Sequence, residues 1–308
     1  MSAATAERIG RKIIRITDSV VNFAVLAILL LLIVFAGYAI WDSGQVYQEA
    51  DAARYATYKP TEEDSISFDE LRALNPEVFA WLTVYGTHID YPITQSGDNA
   101  KYVNTNVYGD YSLSGAIFLD YRNSWDFRDF NHILYGHHME KNAMFGDIAS
   151  FNTKEVFDTH AYGNLFYNGK DHGLVFFAFL KTDAYDSDVF YPRVEGREAQ
   201  QAYLKNLLDK AVYTRDAGVT ENDHIVLLTT CASDATNGRD ILVAKITDEH
   251  YSNTFDLNDT DNTGNRVSAD RQEEIWNSLP LWAKITVPTL VLVLMLVIVL
   301  YIRKRKED

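Results

Sequence analysis

Two stretches of this sequence are free of charge for the width of a bilayer, one near each end, and together they frame how everything between them can fold. The first runs from Val20 to Trp41 around Ala27-Ile28-Leu29-Leu30-Leu31-Leu32-Ile33-Val34-Phe35, and the second runs from Ile285 to Ile302. Each is near the ~20 apolar residues a helix needs to cross a hydrocarbon core. Arg8, Arg11, Lys12 and Arg15 precede the first, and Arg303-Lys304-Arg305-Lys306 follow the second. Basic clusters stay on the cytoplasmic side, so both termini are expected in the cytoplasm and the intervening residues on the outer face of the cell membrane. A cleaved signal peptide is the competing reading of the first stretch. Its length and the lack of a small-x-small cleavage site favour an anchor.

The exterior portion, about residues 43–280, is the right size for one domain with a substantial core. It carries a net charge of about −19. Such a surface repels phosphate backbones, which sets nucleic acid aside as a partner. The chain has one cysteine, Cys231, so it contains no internal disulfide although its compartment permits them.

Residues 43–66 are polar, with a helix-compatible stretch from Gln45 to Tyr58, and read as a membrane-proximal stalk. Ser67 followed by Glu70 forms a capping-box pattern that predicts a helix ending near Asn75-Pro76. From there the pattern turns to short β-like runs. Ala80–Val84 and His88–Ile93 flank Tyr85-Gly86-Thr87 as a hairpin, and Gly115–Leu119, His132–Tyr135, Leu174–Phe179, Ile225–Cys231 and Ile241–Ala244 follow. Seven or eight such strands imply a barrel or a sandwich. One amphipathic helix is predicted over Glu195–Val212. From about Ser252 to Asn265 the chain is rich in Asn, Asp and Thr and reads as a link to the second span.

Cys231 ends the apolar run Ile225-Val226-Leu227-Leu228-Thr229-Thr230, and Arg239 opens the next one. A thiol is the strongest neutral-pH nucleophile among side chains, although a free cysteine is ordinarily a small buried hydrophobe. A nucleophile needs a proton-transfer partner, and a tetrahedral oxyanion needs a positive or hydrogen-bonding one. Among eight histidines, His137 and His138 differ from the rest. They follow an apolar strand through Tyr135-Gly136, where an imidazole can face a cleft. Metal binding is the other use of such a pair, but adjacent residues in extended chain point to opposite sides and no further Cys/His cluster is present.

The order His, Cys, Arg resembles the sortases, membrane-anchored transpeptidases of Gram-positive bacteria. The family's Cys strand ends Thr-Leu-x-Thr-Cys; here Leu228, Thr230 and Cys231 match, and Leu227 replaces the first threonine. Tyr135-Gly136-His137 matches the His signature, with Met144-Phe145 downstream as in class B. Trp81-Leu82, Ile89-Asp90-Tyr91-Pro92-Ile93-Thr94-Gln95, Asp98-Asn99 and the helix before the Cys strand are also similar to class B. A C-terminal anchor is commoner in pilin-polymerising class C enzymes. Those carry an Asp-Pro-aromatic lid motif, and no such tripeptide occurs between Ser43 and Phe79.

The resemblance implies a mainly β fold, a closed sortase-type barrel of about eight strands with peripheral helices, flanked by two transmembrane helices. The expected division is cytoplasmic N-terminus 1–19, span 20–41, stalk 42–66, catalytic domain 67–251, linker 252–284, span 285–302 and cytoplasmic tail 303–308. It also implies a reaction: Cys231 attacks a C-terminal sorting motif of a secreted protein to form a thioacyl-enzyme, His137 shuttles protons, and Arg239 holds substrate and oxyanion. Thr230, Asn99 and Leu228 are the expected supporting residues. The acceptor is an amine of a peptidoglycan precursor or a pilin lysine, and no metal or organic cofactor is implied. Two other readings stay open: pilin polymerisation in place of wall anchoring, and a non-catalytic receptor or adhesin that merely buries the cysteine.

Overall fold

The computed structural model describes residues 3–61, 65–232 and 235–255. The expected second span, the tail 303–308 and the linker from residue 256 onward lie outside them. Helix α1 spans Ala3–Glu49 and, among the described residues, is the helix long and apolar enough to cross a membrane. Beyond it the stalk turns through two short 3-10 segments, Ala52–Arg54 and Ala56–Tyr58. Helix α2, Ile66–Leu74, starts two residues earlier than the capping box predicts. The Asp69 N–H bonds the Ser65 carbonyl, Ser67 falls inside the first turn, and no side chain caps the helix. Its buried Phe68 meets Trp81 and Phe166 edge-on.

The nine strands are β1 Val78–Val84, β2 Asp90–Thr94, β3 Ile117–Leu119, β4 Asn131–Tyr135, β5 Tyr162–Tyr167, β6 Lys170–Asp183, β7 Ala211–Thr214, β8 His224–Cys231 and β9 Gly238–Thr247. They pair in the order β5-β1-β2-β3-β4-β8-β9-β6, and β5 pairs again with β6. Eight strands therefore close on themselves, as expected, and closure removes the exposed edges of an open sheet. The ninth, β7, lies along the C-terminal half of β6. Sequence patterning missed β5 because Gly163 and Asn164 interrupt its apolar run. Gly163 is required there: a Cβ would stand 2.5 Å from the Thr83 carbonyl oxygen on β1.

Strand β8 is buried on both faces, which is why it reads as a continuous apolar run. Val226 and Leu228 belong to the larger core, which takes in the barrel interior. Ile225 and Leu227 belong to a second core, which the chain covers after the short helix α3, Lys154–Thr159, with Tyr203, Leu204 and Leu207 of helix α4, Arg197–Lys210. The predicted helix over Glu195–Val212 is trimmed at both ends. Ala211 is extended, and β-branched Val212 with Tyr213 joins the sheet as β7.

His132 on β4 is fully buried; its Nδ1–H donates to the Ile225 carbonyl at 3.1 Å, and burial pushes its pKa down to about 4. An unfolded chain binds a proton there near pH 6.5. Between these values the unfolded state holds more protons, so His132 makes stability fall as pH drops from about 6.5 towards 4. His132→Gln, which keeps a donor for Ile225, is expected to lose less melting temperature than the parent between pH 7 and pH 4.5. An equal loss in the two proteins would exclude His132 as an acid-sensitive element.

Candidate active site

The site is built on three neighbouring strands. β8 runs antiparallel to β9, and Cys231 faces Arg239 directly across that pair. Opposite residues of an antiparallel pair have Cβ atoms about 4.5–5.5 Å apart on one face of the sheet. On its other edge β8 runs parallel to β4, with Tyr135 beside Thr229. The pairing continues past β4, because the Gly136 N–H donates to the Thr229 carbonyl at 3.2 Å. His137 follows directly, two residues beyond the last β4–β8 pair. Cys231 and Arg239 thus stand side by side at the ends of β8 and β9, and His137 lies just past the end of β4 on the other side of β8. Cys231 is exposed, and the other two are half-buried.

Each flanking side chain is held by a backbone carbonyl. His137 Nε2 lies 2.8 Å from the Val103 carbonyl oxygen. A carbonyl only accepts, so Nε2 carries the proton. Arg239 Nη1 donates to the Gly238 carbonyl at 2.9 Å, and the Ala232 N–H next to the thiol donates to the same oxygen, also at 2.9 Å. The guanidinium is therefore folded back against its own strand.

The supporting residues expected from sequence are placed less uniformly. Leu228 is 0% exposed within the larger core and is a packing residue that cannot reach a substrate. Thr230 is 2% exposed and pairs with Asp240; as Cys231's neighbour in the strand it points to the opposite face. Its hydroxyl does not face the thiol. Asn99 sits in a polar cluster instead. Its amide donates to Asp120 Oδ2 at 2.8 Å, and its Oδ1 accepts from the Tyr121 N–H at 3.0 Å.

That cluster was not legible in sequence. Asp120 is 0% exposed and receives Arg122 through Nε and Nη2, each at 2.8 Å, and the Tyr135 hydroxyl at 3.1 Å. Burial alone would raise the Asp120 pKa; the guanidinium, the Arg122 N–H and Asn99 outweigh it and bring it below the usual carboxylate value. Burial and the Asp120 charge push the Tyr135 phenol up, which keeps it a donor. Tyr135, two residues before His137, is thereby pinned. The Val103 carbonyl was equally hidden, since a backbone acceptor leaves no mark in a sequence.

Of the other histidines, His138 bridges to Met144 with its Nδ1 buried and unpartnered. His88 pairs with Asp147 at 2.9 Å, His160 stacks on Phe255, His172 stacks on Tyr167, and His224 bonds the Asp129 carbonyl. His137 is the histidine that directly follows the Gly136 ladder bond to β8.

No family model matches the chain. Sortase B of Listeria monocytogenes is 33% identical over 181 residues, covering 58% of this chain and 72% of the relative. The structure of sortase B from the type II pilus of Streptococcus pneumoniae is 49% identical, covers 59% of this chain and 99% of that one, and superposes with a TM-score of 0.53. The structure of a Streptococcus pyogenes class B sortase involved in pilus biogenesis is 39% identical, covers 59% and 98%, and gives a TM-score of 0.54.

Proposed function

The chain belongs to the class B sortases, a family of cysteine transpeptidases, and from that premise we propose that Cys231 is its nucleophile, His137 its proton carrier and Arg239 its oxyanion clamp. The observation that carries this reading is the Cys231–Arg239 pair across β8 and β9, with His137 just past the end of β4 on the other side of β8. The Cys231 proton passes to His137, and Sγ attacks the carbonyl carbon of the residue before the scissile bond in a sorting motif. The C–N bond breaks, His137 protonates the departing amine, and a thioester remains. An incoming amine then attacks that thioester, gives its proton back to His137 and releases Cys231. Arg239 exchanges the Gly238 carbonyl for the substrate oxygen and offers it a fixed fork of charged donors.

Cys231→Ala is expected to abolish motif cleavage without loss of fold. Arg239→Lys should lower kcat about 10²–10³-fold, the usual cost of losing an oxyanion donor. His137→Ala should be inactive, while His138→Ala retains activity. Turnover of a fluorogenic sorting-motif peptide by the detergent-solubilised full chain checks all four, and an inactive His138→Ala beside an active His137→Ala would shift the register by one.

The acceptor, on this reading, is a pilin lysine. Support comes from identity: the two pilus-associated sortases stand at 49% and 39%, against 33% and 31% for the sortase B proteins of Listeria monocytogenes and Staphylococcus aureus. The full chain, given a motif-bearing pilin with equal amounts of lysine-bearing pilin domain and peptidoglycan stem peptide, is expected to build a ladder of covalent pilin multimers. Exclusive transfer to the stem peptide would make it a wall-anchoring enzyme.

Residues 20–41 and 285–302 are proposed to anchor the enzyme with both termini cytoplasmic. The support is the basic residues outside each apolar stretch and the helical state of the first. Protease added to intact protoplasts should digest the Cys231 domain and spare tags at both ends. Digestion of a C-terminal tag from outside would remove the second crossing.

A further inference from the structure

The loop after His137 turns back sharply. Lys141, Asn142 and Met144 all have left-handed backbones, with φ of 60°, 60° and 54°. No glycine relieves these positions, and non-glycine residues persist in such conformations only where their surroundings hold them. The loop closes through the His138–Met144 bridge and through the Phe145 N–H, which donates to the His137 carbonyl at 3.0 Å. Whatever fixes Met144 therefore fixes the backbone of His137.

What fixes Met144 is a buried phenol on β2. The Tyr91 hydroxyl, in a residue only 2% exposed, accepts from the Met144 N–H at 3.0 Å and donates to the Ala50 carbonyl at 2.7 Å. Ala50 directly follows the last turn of α1. Two residues of that turn reach the same region. The Tyr47 ring lies under Lys141 Nζ at 4.8 Å from its centroid. Glu49 accepts the Ser112 hydroxyl at 2.5 Å, and the Ser112 N–H bonds the Asn104 carbonyl. Asn104 follows Val103, whose carbonyl holds the His137 imidazole. Three residues at the end of α1 thus reach both segments that grip His137: the strained loop behind its backbone, directly from Tyr47 and through Tyr91 from Ala50, and the segment in front of its ring, through Ser112 from Glu49.

We propose that this junction, centred on Tyr91 and comprising Tyr47, Glu49 and Ala50, is a positioning element for His137, so that the end of the stalk helix forms part of the catalytic apparatus. It acts through His137 without touching substrate. The inference rests on the proposed role of His137 as proton carrier.

Tyr91→Phe keeps the ring and its packing while freeing the Met144 N–H and the Ala50 carbonyl. Ser112→Ala removes the Glu49 contact with a loss of only one hydroxyl, and Tyr47→Leu removes the ring beneath Lys141 at a half-buried position, so the two guard against misfolding of the first variant. In the detergent-solubilised full chain, each is expected to lower kcat for motif cleavage about fivefold or more, with KM within twofold. The ¹⁵N-histidine resonances of His137, identified by their loss in His137→Ala, should move away from the Nε2-protonated pattern while the melting temperature holds within a few degrees. Wild-type kcat with unmoved His137 resonances in all three variants would overturn the proposal. So would losses of activity that track only the folded fraction or KM. An active His137→Ala would instead overturn the underlying assignment of the proton carrier, a result separable from either.

Discussion

Strand β8 is paired along both edges and buried on both faces, and the rest of the molecule depends on that double confinement. β4 lies against it in parallel and β9 in antiparallel register. Its residues from Ile225 to Leu228 are each 0% exposed. A slip of one residue along either edge would exchange the faces of every side chain in the strand. Leu228 would leave the larger core and Leu227 the one beneath α4, each a loss on the order of the 2–5 kcal/mol that follows truncation of a buried leucine. The Cys231–Arg239 pair at the strand ends inherits its spacing from this upstream register. Arg239 stands opposite Cys231 because Leu242 stands opposite Leu228, so apolar packing without any chemistry of its own sets the geometry of the reactive groups.

A second, polar system sets what the strands leave free. Tyr135 is the last residue of β4, and beyond it the backbone has one ladder bond, from Gly136, before it leaves the sheet. The Asp120 cluster anchors Tyr135 from one side, and the Val103 carbonyl captures His137 from the other. A buried carboxylate is tolerated only when its oxygens are met, and the Asp120 oxygens are met by two guanidinium nitrogens, an amide and a phenol. Removing a partner from a buried pair costs about 3–5 kcal/mol; Arg122 is 42% exposed, and solvent screening lowers the figure for this pair. The cluster also explains Asn99, whose side chain is spent inside the protein fastening the 99–121 segment to the sheet.

The parts of this design visible in the sequence are those written in local pattern. A charge-free stretch declares the first helix, alternating and continuous apolar runs declare most strands, and a thiol closing such a run beside an arginine marks the reactive edge. The parallel pairing of β4 with β8 joins residues 131–135 to 225–229, and no local pattern reports a partner that distant. β5 was hidden by Gly163, which the close approach of β1 demands, and β7 by helix-compatible residues that tertiary pairing drew into the sheet. Thr230 and Leu228 were singled out by motif position, and the alternation of side chains along β8 places both away from the thiol. The capping box failed because a backbone bond to Ser65 started helix α2 first. The carbonyls that hold His137 and Arg239 belong to the backbone, which is chemically the same at every residue.

Those two carbonyls bear on how the proposed chemistry is driven. In the resting chain the His137 Nε2–H and the Arg239 guanidinium are each hydrogen-bonded to a neutral backbone oxygen. A substrate carbonyl that displaces Gly238 from Arg239 replaces one neutral acceptor with another, so the exchange changes little in free energy and contributes little to binding of the ground state. When the thiol adds, that oxygen gains a negative charge, and the cationic guanidinium then faces an anion where it had faced only a carbonyl dipole, which strengthens the attraction. The gain arises only in the tetrahedral state, where stabilisation accelerates reaction instead of tightening substrate binding. In the proposed mechanism Gly238 is thus a placeholder whose neutrality matches the substrate and not the transition state, which leaves the difference in favour of the chemical step.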